Sequence, residues 1–180
     1  AVADSAVILH GQGGRVEDIV RVTALVPQPT IGIVCEPQAA KRKPANSYEA
    51  QFSVHYAIAS GLLRGRFGLP DLQPEAFTDP AALALMERID YQIDTQSGFP
   101  RHYSGEVLVT LRDGRELRHR EAINRGAADR PLSSADIVAK FLDNAHTAVA
   151  PQRAKTILDA VLDLDSGSAR ALSRVLAAAA

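Results

Sequence analysis

The sequence predicts an α+β fold, in which an antiparallel sheet packs with helices over residues 1–130 and a helical tail follows over residues 131–180. Three observations support this prediction. Apolar and polar side chains alternate over residues 19–26, as they do in a half-buried strand. An Asp-Gly pair at 113–114 separates two further alternating runs, which is the signature of a β-hairpin. Beyond residue 130 the apolar residues recur at helical spacing.

In the first half of the chain we expect three helices around one strand. A short helix over residues 2–9 precedes the strand at 19–26, and the proline-rich residues 27–45 are predicted to be irregular. A long helix is expected over residues 47–64, because an asparagine and a glutamate at its start form a variant of the capping box. An Asp-Pro pair then predicts a helix over residues 79–89.

In the second half, the hairpin returns in a strongly charged strand, which is typical of a sheet edge. Helices are then expected to begin at a capping box, at a proline in the first turn and at a serine N-cap. The predicted elements are a short strand at 91–93, hairpin strands at 106–111 and 115–121, and helices that begin near Ser133, Pro151 and Ser168.

The composition indicates a folded protein without a strongly charged surface. Hydrophobic residues make up 46% of the 180 residues, which excludes wholesale disorder. Twenty basic and twenty-one acidic residues leave a net charge of −1, and there are nine aromatic residues, so nucleic-acid and anionic membrane partners are not expected. The single cysteine fits a reducing cytoplasm. A start at Ala1 rather than Met is what a fragment of a longer protein would show.

The sequence gives little support for metal, dinucleotide or cysteine chemistry. The five histidines lie far apart, with no HExxH or CxxC spacing, so no metal site is predicted. The glycines at 11–14 lack the GxGxxG spacing and more simply end the first helix. Cys35 is a potential nucleophile, but a lone cysteine is more often a small packed side chain.

Two further groups are candidates for binding and catalysis. Lys41, Arg42 and Lys43 precede a helix and are able to bind a carboxylate-rich substrate, although a solvated loop or a contact with another domain explains them as well. His55 has the residue type of a general acid or base, or it hydrogen-bonds a backbone carbonyl. Tyr56 lies on the apolar stripe of its helix, which favours a place in the core.

Several segments together resemble the MmgE/PrpD family. The segments are Cys35-Glu36-Pro37, Lys41-Arg42-Lys43-Pro44, residues 48–59 (YEAQFSVHYAIA), residues 61–69 (GLLRGRFGL), and Pro131-Leu132-Ser133 with the later Lys140-Phe141. The resemblance runs from about residue 2 to residue 164. The EA-x-FS-x-x-YA pattern within 48–59 is fairly specific because it occurs together with the CEP element.

The resemblance implies that this chain is part of a two-domain enzyme. Members of the family look like a large helical domain with a smaller α+β lid inserted before the C-terminal helices, and this sequence looks like the lid with those helices. A histidine implicated in catalysis would align just before Ala1. The resemblance therefore implies a fragment whose partner is the helical domain of the same enzyme, in a cytoplasmic homodimer.

The family's chemistry implies a lyase or isomerase of small di- and tricarboxylic acids that needs no metal or organic cofactor. Members of the family dehydrate their substrate, as 2-methylcitrate-type hydro-lyases do in propionate metabolism, or they decarboxylate or epimerise it. Each reaction transfers a proton next to a carboxylate or removes the carboxylate. On the matched segments, Lys41, Arg42 and Lys43 are the candidates for holding substrate carboxylates, and Tyr48, Tyr56 and His55 are the candidates for catalysis.

A function from another class remains open. The chain also fits a non-catalytic dimerisation or interaction module, since no nucleophile–base pair is visible in the sequence and the helical tail carries apolar stripes that need partners.

Overall fold

The computed structural model describes residues 1–177; the end of the predicted helical tail, residues 178–180, lies outside them. The described residues form two compact units, one over Ala1–Arg130 and one that begins at Pro131. The α-helices are α1 (Val2–His10), α2 (Ile31–Val34), α3 (Gln38–Arg42), α4 (Ser47–Gln51), α5 (Val54–Arg64), α6 (Pro74–Phe77), α7 (Pro80–Met86), α8 (Ser134–Ala145), α9 (Pro151–Leu162) and α10 (Ala169–Ala177). The strands are β1 (Ile19–Val26), β2 (Ile89–Ile93), β3 (Gly105–Leu111) and β4 (Glu116–Glu121).

The α+β class predicted from the sequence is confirmed, and the sheet is mixed rather than wholly antiparallel. Its strand order is β2-β1-β3-β4. β1 pairs antiparallel with β3, and β3 with β4 through the predicted hairpin. β1 and β2 run parallel, with Val22 opposite Ile89, because the long connection through α2–α7 returns the chain in the same direction. The charged strand β4 lies at one edge, as expected.

The predicted helix over residues 47–64 is two helices, and this is the main correction to the expected elements. α4 ends at Gln51, and Ser53 adopts extended backbone angles, φ −110° and ψ 115°. The Ser53 hydroxyl accepts a hydrogen bond from the Tyr56 amide at 3.0 Å and so caps α5 as a new N-terminus. The apolar stripe continues through the break, so the spacing of the apolar residues does not reveal where α4 ends and α5 begins.

Two other boundaries differ from the expectation. The helix predicted over 79–89 ends at Met86, and Ile89 already belongs to β2, so the short strand begins two residues earlier than expected. Residues 27–45 are less irregular than predicted, since they contain α2 and α3. Short helices of four or five residues lack the periodic repeats that reveal longer ones.

The core of the first unit joins buried residues of the sheet with those of α1, α5 and α7. Residues 54–62 of α5 are all buried, so this helix is surrounded by protein on every side. α1 packs closely against it at Gly61, where a Cβ atom would lie 2.7 Å from the Cβ of Ala6. A glycine is therefore needed at this crossing, because a larger side chain would push the two helices apart.

The second unit consists of α8, α9 and α10. Ser133 and Asp136 form the predicted capping box of α8, and Ser168 caps the start of α10 through the Ala171 amide at 3.2 Å. Arg153 of α9 donates to the Val175 carbonyl of α10 at 2.7 Å. Among the described residues of this unit, only Ala154 is fully buried.

Candidate functional site

A cleft of about 390 Å³ opens in the first unit. It is bounded by the start of α1, the end of β1, α2, the break between α4 and α5, and the segment before β3. Most of its wall is apolar: Val2, Val26, Ile33, Val34, Phe52 and Val54. Its volume falls in the range of small-molecule sites, and it is the candidate binding site of this unit.

Lys41 holds the break between α4 and α5, which forms one wall of the cleft. Its ammonium Nζ donates to the Phe52 carbonyl at 2.8 Å, and the Ser53 hydroxyl donates to the Lys41 carbonyl at 2.5 Å. The end of a helix leaves carbonyl groups without helical partners, and a lysine is well suited to bind one. The charge of Lys41 is thus directed into the protein.

Arg42 joins α3 to the start of β2. Its Nη2 donates to the Ile89 carbonyl at 2.9 Å and to Asp90 Oδ1 at 2.7 Å, and its Nη1 lies 3.7 Å from a Glu87 carboxylate oxygen. The guanidinium covers the edge of β2, where backbone groups would otherwise be unpaired. Like Lys41, Arg42 is engaged by the protein.

Lys43 and Tyr48 are the two predicted site residues at the surface. Tyr48 is 71% exposed, and its ring centroid lies 4.9 Å from that of Phe52, a residue of the cleft wall. Lys43 is exposed at the end of α3, and within residues 1–177 its ammonium forms no hydrogen bond or ion pair. These two side chains are accessible to a ligand in solution.

His55 is wholly buried in the first turn of α5, close to the cations of α3. Within the described part of the chain, neither ring nitrogen has a hydrogen-bond partner. Burial and the neighbouring Arg42 lower the pKa of His55 to about 4, against the opposing effect of Asp90 and Glu36. The ring is therefore neutral at pH 7.

Tyr56 lies apart from the other candidates, in the core. Its hydroxyl donates to the Asp71 carbonyl, and its ring meets those of Phe67 and Phe77 edge-on at centroid distances of 5.9 and 6.3 Å. Burial raises the pKa of this phenol above its ordinary value. The structure therefore brings Lys41, Arg42 and His55 together and leaves Tyr56 separate from them.

Three polar residues around Arg42 and His55 were not predicted from the sequence, namely Glu36, Asp90 and Tyr91. Tyr91 donates to the Glu36 carboxylate, which also accepts from the Gln38 amide at 2.9 Å; these hydrogen bonds lower the pKa of Glu36 and raise that of Tyr91 to about 12. Asp90 binds Arg42. Glu36 could have been found from the sequence, because it belongs to the CEP element. Asp90 and Tyr91 lie on β2, far away in the sequence, and no local pattern identifies them.

Cys35 is a packed side chain, as its residue type favours. It is fully buried, and burial raises the pKa of its thiol to about 12, so the thiolate required for nucleophilic attack is scarce at neutral pH. Over residues 1–177, no group of three or more His, Cys, Asp or Glu side chains is arranged to hold a metal ion. No helix in that range has the length and hydrophobicity to cross a membrane.

The fold and cleft define a class: an α+β domain with a four-stranded mixed sheet packed on a buried helix, followed by a helical unit. Residues 1–165 match the model of the MmgE/PrpD C-terminal domain. The chain belongs to the MmgE/PrpD family, as the resemblance implied.

Two curated relatives are similar to the chain over 124 residues. These are cis-aconitate decarboxylase of Mus musculus, at 26% identity, and cis-aconitate decarboxylase of Homo sapiens, at 27% identity. The matched stretch covers 68% of this chain but only 25% and 26% of the two relatives, so the similarity spans about a quarter of their length.

Proposed function

We propose that this chain is the lid and C-terminal part of a cofactor-independent lyase or isomerase that acts on small di- or tricarboxylic acids. The observation that carries the proposal is the match to the MmgE/PrpD C-terminal domain over residues 1–165. The similarity to two cis-aconitate decarboxylases supports a lyase. Dehydration, decarboxylation and epimerisation remain the three reactions that the proposal includes.

In the proposed reaction, a base transfers a proton at a carbon next to a carboxylate, or the carboxylate leaves, and cations stabilise the charge that develops. The cleft is proposed as the face of this domain that meets the substrate. Ala1 lines it, and the histidine implied by the resemblance aligns next to Ala1. A helical domain of the same enzyme would supply the remaining acid–base groups, in a cytoplasmic homodimer.

Lys43 and Tyr48 are the residues we propose for substrate contact. Both are accessible, whereas the ammonium of Lys41 and the guanidinium of Arg42 already bind protein carbonyls. A lysine that holds a carboxylate forms a charge-assisted hydrogen bond, which is stronger than a neutral one. Lys41, Arg42 and His55 would then act by shaping the wall that carries Phe52.

The test is proton exchange in deuterated water with the native protein isolated from its source, whose intact mass is measured first. We expect deuterium to enter the carbon next to a carboxylate of a di- or tricarboxylic acid. In that protein Lys43→Met should raise KM roughly tenfold, the loss expected for a hydrogen bond to a charged group. Lys155→Met is the control, since Lys155 pairs with Asp159 on the exposed surface of α9. No exchange or turnover with any such acid would reject the proposal.

A second candidate is an interaction module without chemistry, which exposed apolar side chains of the helical unit favour. Ile137, Leu162 and Leu176 are 55%, 68% and 56% exposed. Such residues often mark surfaces that another chain covers. Sedimentation separates the two candidates: a monodisperse dimer of the 180-residue chain, with no exchange in the native protein, would favour the module.

A further inference from the structure

The serine and threonine hydroxyl groups that line the cleft are already used as donors. Thr30 Oγ1 donates to the carbonyl three residues earlier at 2.8 Å, and Ser53 Oγ donates to the Lys41 carbonyl at 2.5 Å. Ser104 Oγ donates to Asp94 Oδ2 at 2.5 Å. A hydroxyl has one proton to donate, so these three groups offer a ligand only their lone pairs. An ionised carboxylate only accepts hydrogen bonds, so it can form none with these three hydroxyl groups.

The wall also lacks a cationic side chain. No lysine, arginine or histidine side chain is among its lining residues in the described part of the chain. Two exposed polar side chains of the lining, those of Gln51 and Tyr103, form no hydrogen bond within residues 1–177. The α-ammonium of Ala1, a lining residue, lies 3.3 Å from an Asp4 carboxylate oxygen and is paired with it. Since an unpaired carboxylate is strongly disfavoured against apolar groups, the apolar wall of the cleft disfavours charge.

We infer that the cleft binds the hydrocarbon substituent of a carboxylic acid, and that the substrate class is small acids with an alkyl side group of several carbons. The inference rests on the proposed function. The alkyl group lies against Val26, Ile33 and Phe52, and the carboxylates remain outside the apolar wall. One polar end of the ligand is able to reach the Gln51 amide or the Tyr103 hydroxyl, which are neutral donors.

A series of acids that differ only in the alkyl group tests this inference. Succinate, 2-methylsuccinate, 2-propylsuccinate and 2-pentylsuccinate are titrated into the 180-residue chain, and the Kd of each is measured by calorimetry. Burial of one methylene group is worth about fourfold in affinity. We expect the Kd to fall about fourfold per methylene until the cleft is filled. The same Kd across the series would overturn the inference.

The variant Ile33→Asp places a carboxylate in the wall at a side chain that is 59% exposed, so the fold tolerates it. It should abolish the dependence of Kd on alkyl length. Leu69→Asp is the matched control, since Leu69 is also an exposed apolar residue, 46% exposed, in a short helical segment but does not line the cleft. Ile33→Ala, which only removes apolar surface, should weaken the dependence without abolishing it. An unchanged dependence in both Ile33 variants would overturn the inference.

The proposed function and the inference fail in different ways. If the native protein exchanges protons of unsubstituted and alkyl-substituted acids with the same kcat/KM, the inference is wrong and the proposed function stands. If affinity rises with alkyl length but no acid is exchanged or turned over, the proposed function is wrong and the assignment of the cleft stands.

Discussion

Two regions of the first unit bring acidic and basic side chains together around buried groups, and they do so in different ways. One, the strand network, consists of Asp94, Ser104, Glu106, Arg118 and Arg120. The other, the helix junction, consists of Glu36, Lys41, Arg42, His55 and Asp90. Both combine acidic and basic side chains contributed by distant parts of the sequence. They differ in whether every buried polar atom has a partner.

The strand network pairs its buried carboxylates. Arg120 donates to Asp94 at 2.8 and 3.1 Å and to Glu106 at 3.1 Å, and Arg118 donates to the other oxygen of Glu106. Burial alone would raise the pKa of Asp94, but its hydrogen bonds from Arg120 and Ser104 hold that pKa below its ordinary value. Charges can be buried in a strand pair when the geometry provides this many donors.

The helix junction leaves polar atoms unpaired. In the described residues, both ring nitrogens of His55 and the Nε of Arg42 are buried without a hydrogen-bond partner. A buried polar group without a partner reduces stability. We therefore expect that removing a partner from the strand network destabilises the sheet, and that protonation of His55 at low pH weakens the packing of α3 on α5.

The largest expected effect comes from breaking the strand network. Arg120→Ala leaves two buried carboxylates with one cation, and breaking a buried ion pair typically reduces the free energy of unfolding by about 3 to 5 kcal/mol. Because Arg118 remains beside Glu106, we expect the lower end of that range, measured by urea unfolding at pH 7. The control is Arg115→Ala, whose partner Asp113 is exposed at the hairpin turn, and it should change little. Equal effects of the two variants would contradict the comparison.

The next effect is the pH dependence that His55 confers. Its pKa is about 4 in the folded protein against 6.5 for an ordinary histidine, so the unfolded chain binds more protons between these values. The stability contributed by neutral His55 is complete above pH 6.5 and is lost as the pH falls towards 4. Between pH 7 and 5 this loss amounts to about 2 kcal/mol. His55→Leu should remove this contribution. The free energy of unfolding, measured with urea at pH 7 and pH 5, should then fall by about 2 kcal/mol less in the variant than in the parent chain.

The variant Arg42→Met tests the cause of this shift. Burial is the larger cause and the charge of Arg42 the next, so the pKa of His55, followed by NMR, should rise in the variant but stay below 6.5. If His55 titrates in the parent chain with the pKa of an exposed histidine, its ring is not buried beside Arg42. Deletion of a distant exposed charge, as in Arg21→Met, should leave the titration unchanged.

Much of the fold could be predicted because its main elements are long and periodic. β1, the hairpin of β3 and β4, and helices α8 and α9 follow alternation, turn residues and caps that lie close together in the sequence. The break at Ser53 was not predicted because the apolar stripe runs through it, and its local sign is only that Ser53 is an N-cap residue type, which caps α5 through the Tyr56 amide. The contact of Ser53 with Lys41, twelve residues away, has no sign in the local sequence. The parallel pairing of β1 and β2 likewise depends on the path of the intervening helices.

The candidate site was harder to predict than the fold. A run of three cations indicates a binding site for acids, yet the residue type says nothing about where each charge points, and two of the three point into the protein. The cleft corresponds to no motif in the sequence, because its wall is formed by residues from α1, β1, α2 and α5, which are far apart along the chain. His55 shows the same limit: its burial and its unpaired nitrogens follow from the packing of α3 on α5.

The smallest expected effect separates the two roles of Ser53, which is hydrogen-bonded to Lys41 of the helix junction. This residue caps α5 and also donates to the Lys41 carbonyl, so Ser53→Ala removes two interactions. Loss of an N-cap alone reduces the free energy of unfolding by about 1 kcal/mol. Asn46→Ala is the matched control, since it also removes two hydrogen bonds, the cap of the Glu49 amide and an exposed one from Asn46 Nδ2 to the Glu49 carboxylate at the start of α4. Urea unfolding should show a larger loss for Ser53→Ala than for Asn46→Ala, because the Lys41 carbonyl is left without its hydroxyl donor. Equal losses would mean that the hydrogen bond to Lys41 adds nothing to the attachment of α3, and that the wall of the cleft is held by Lys41 Nζ alone.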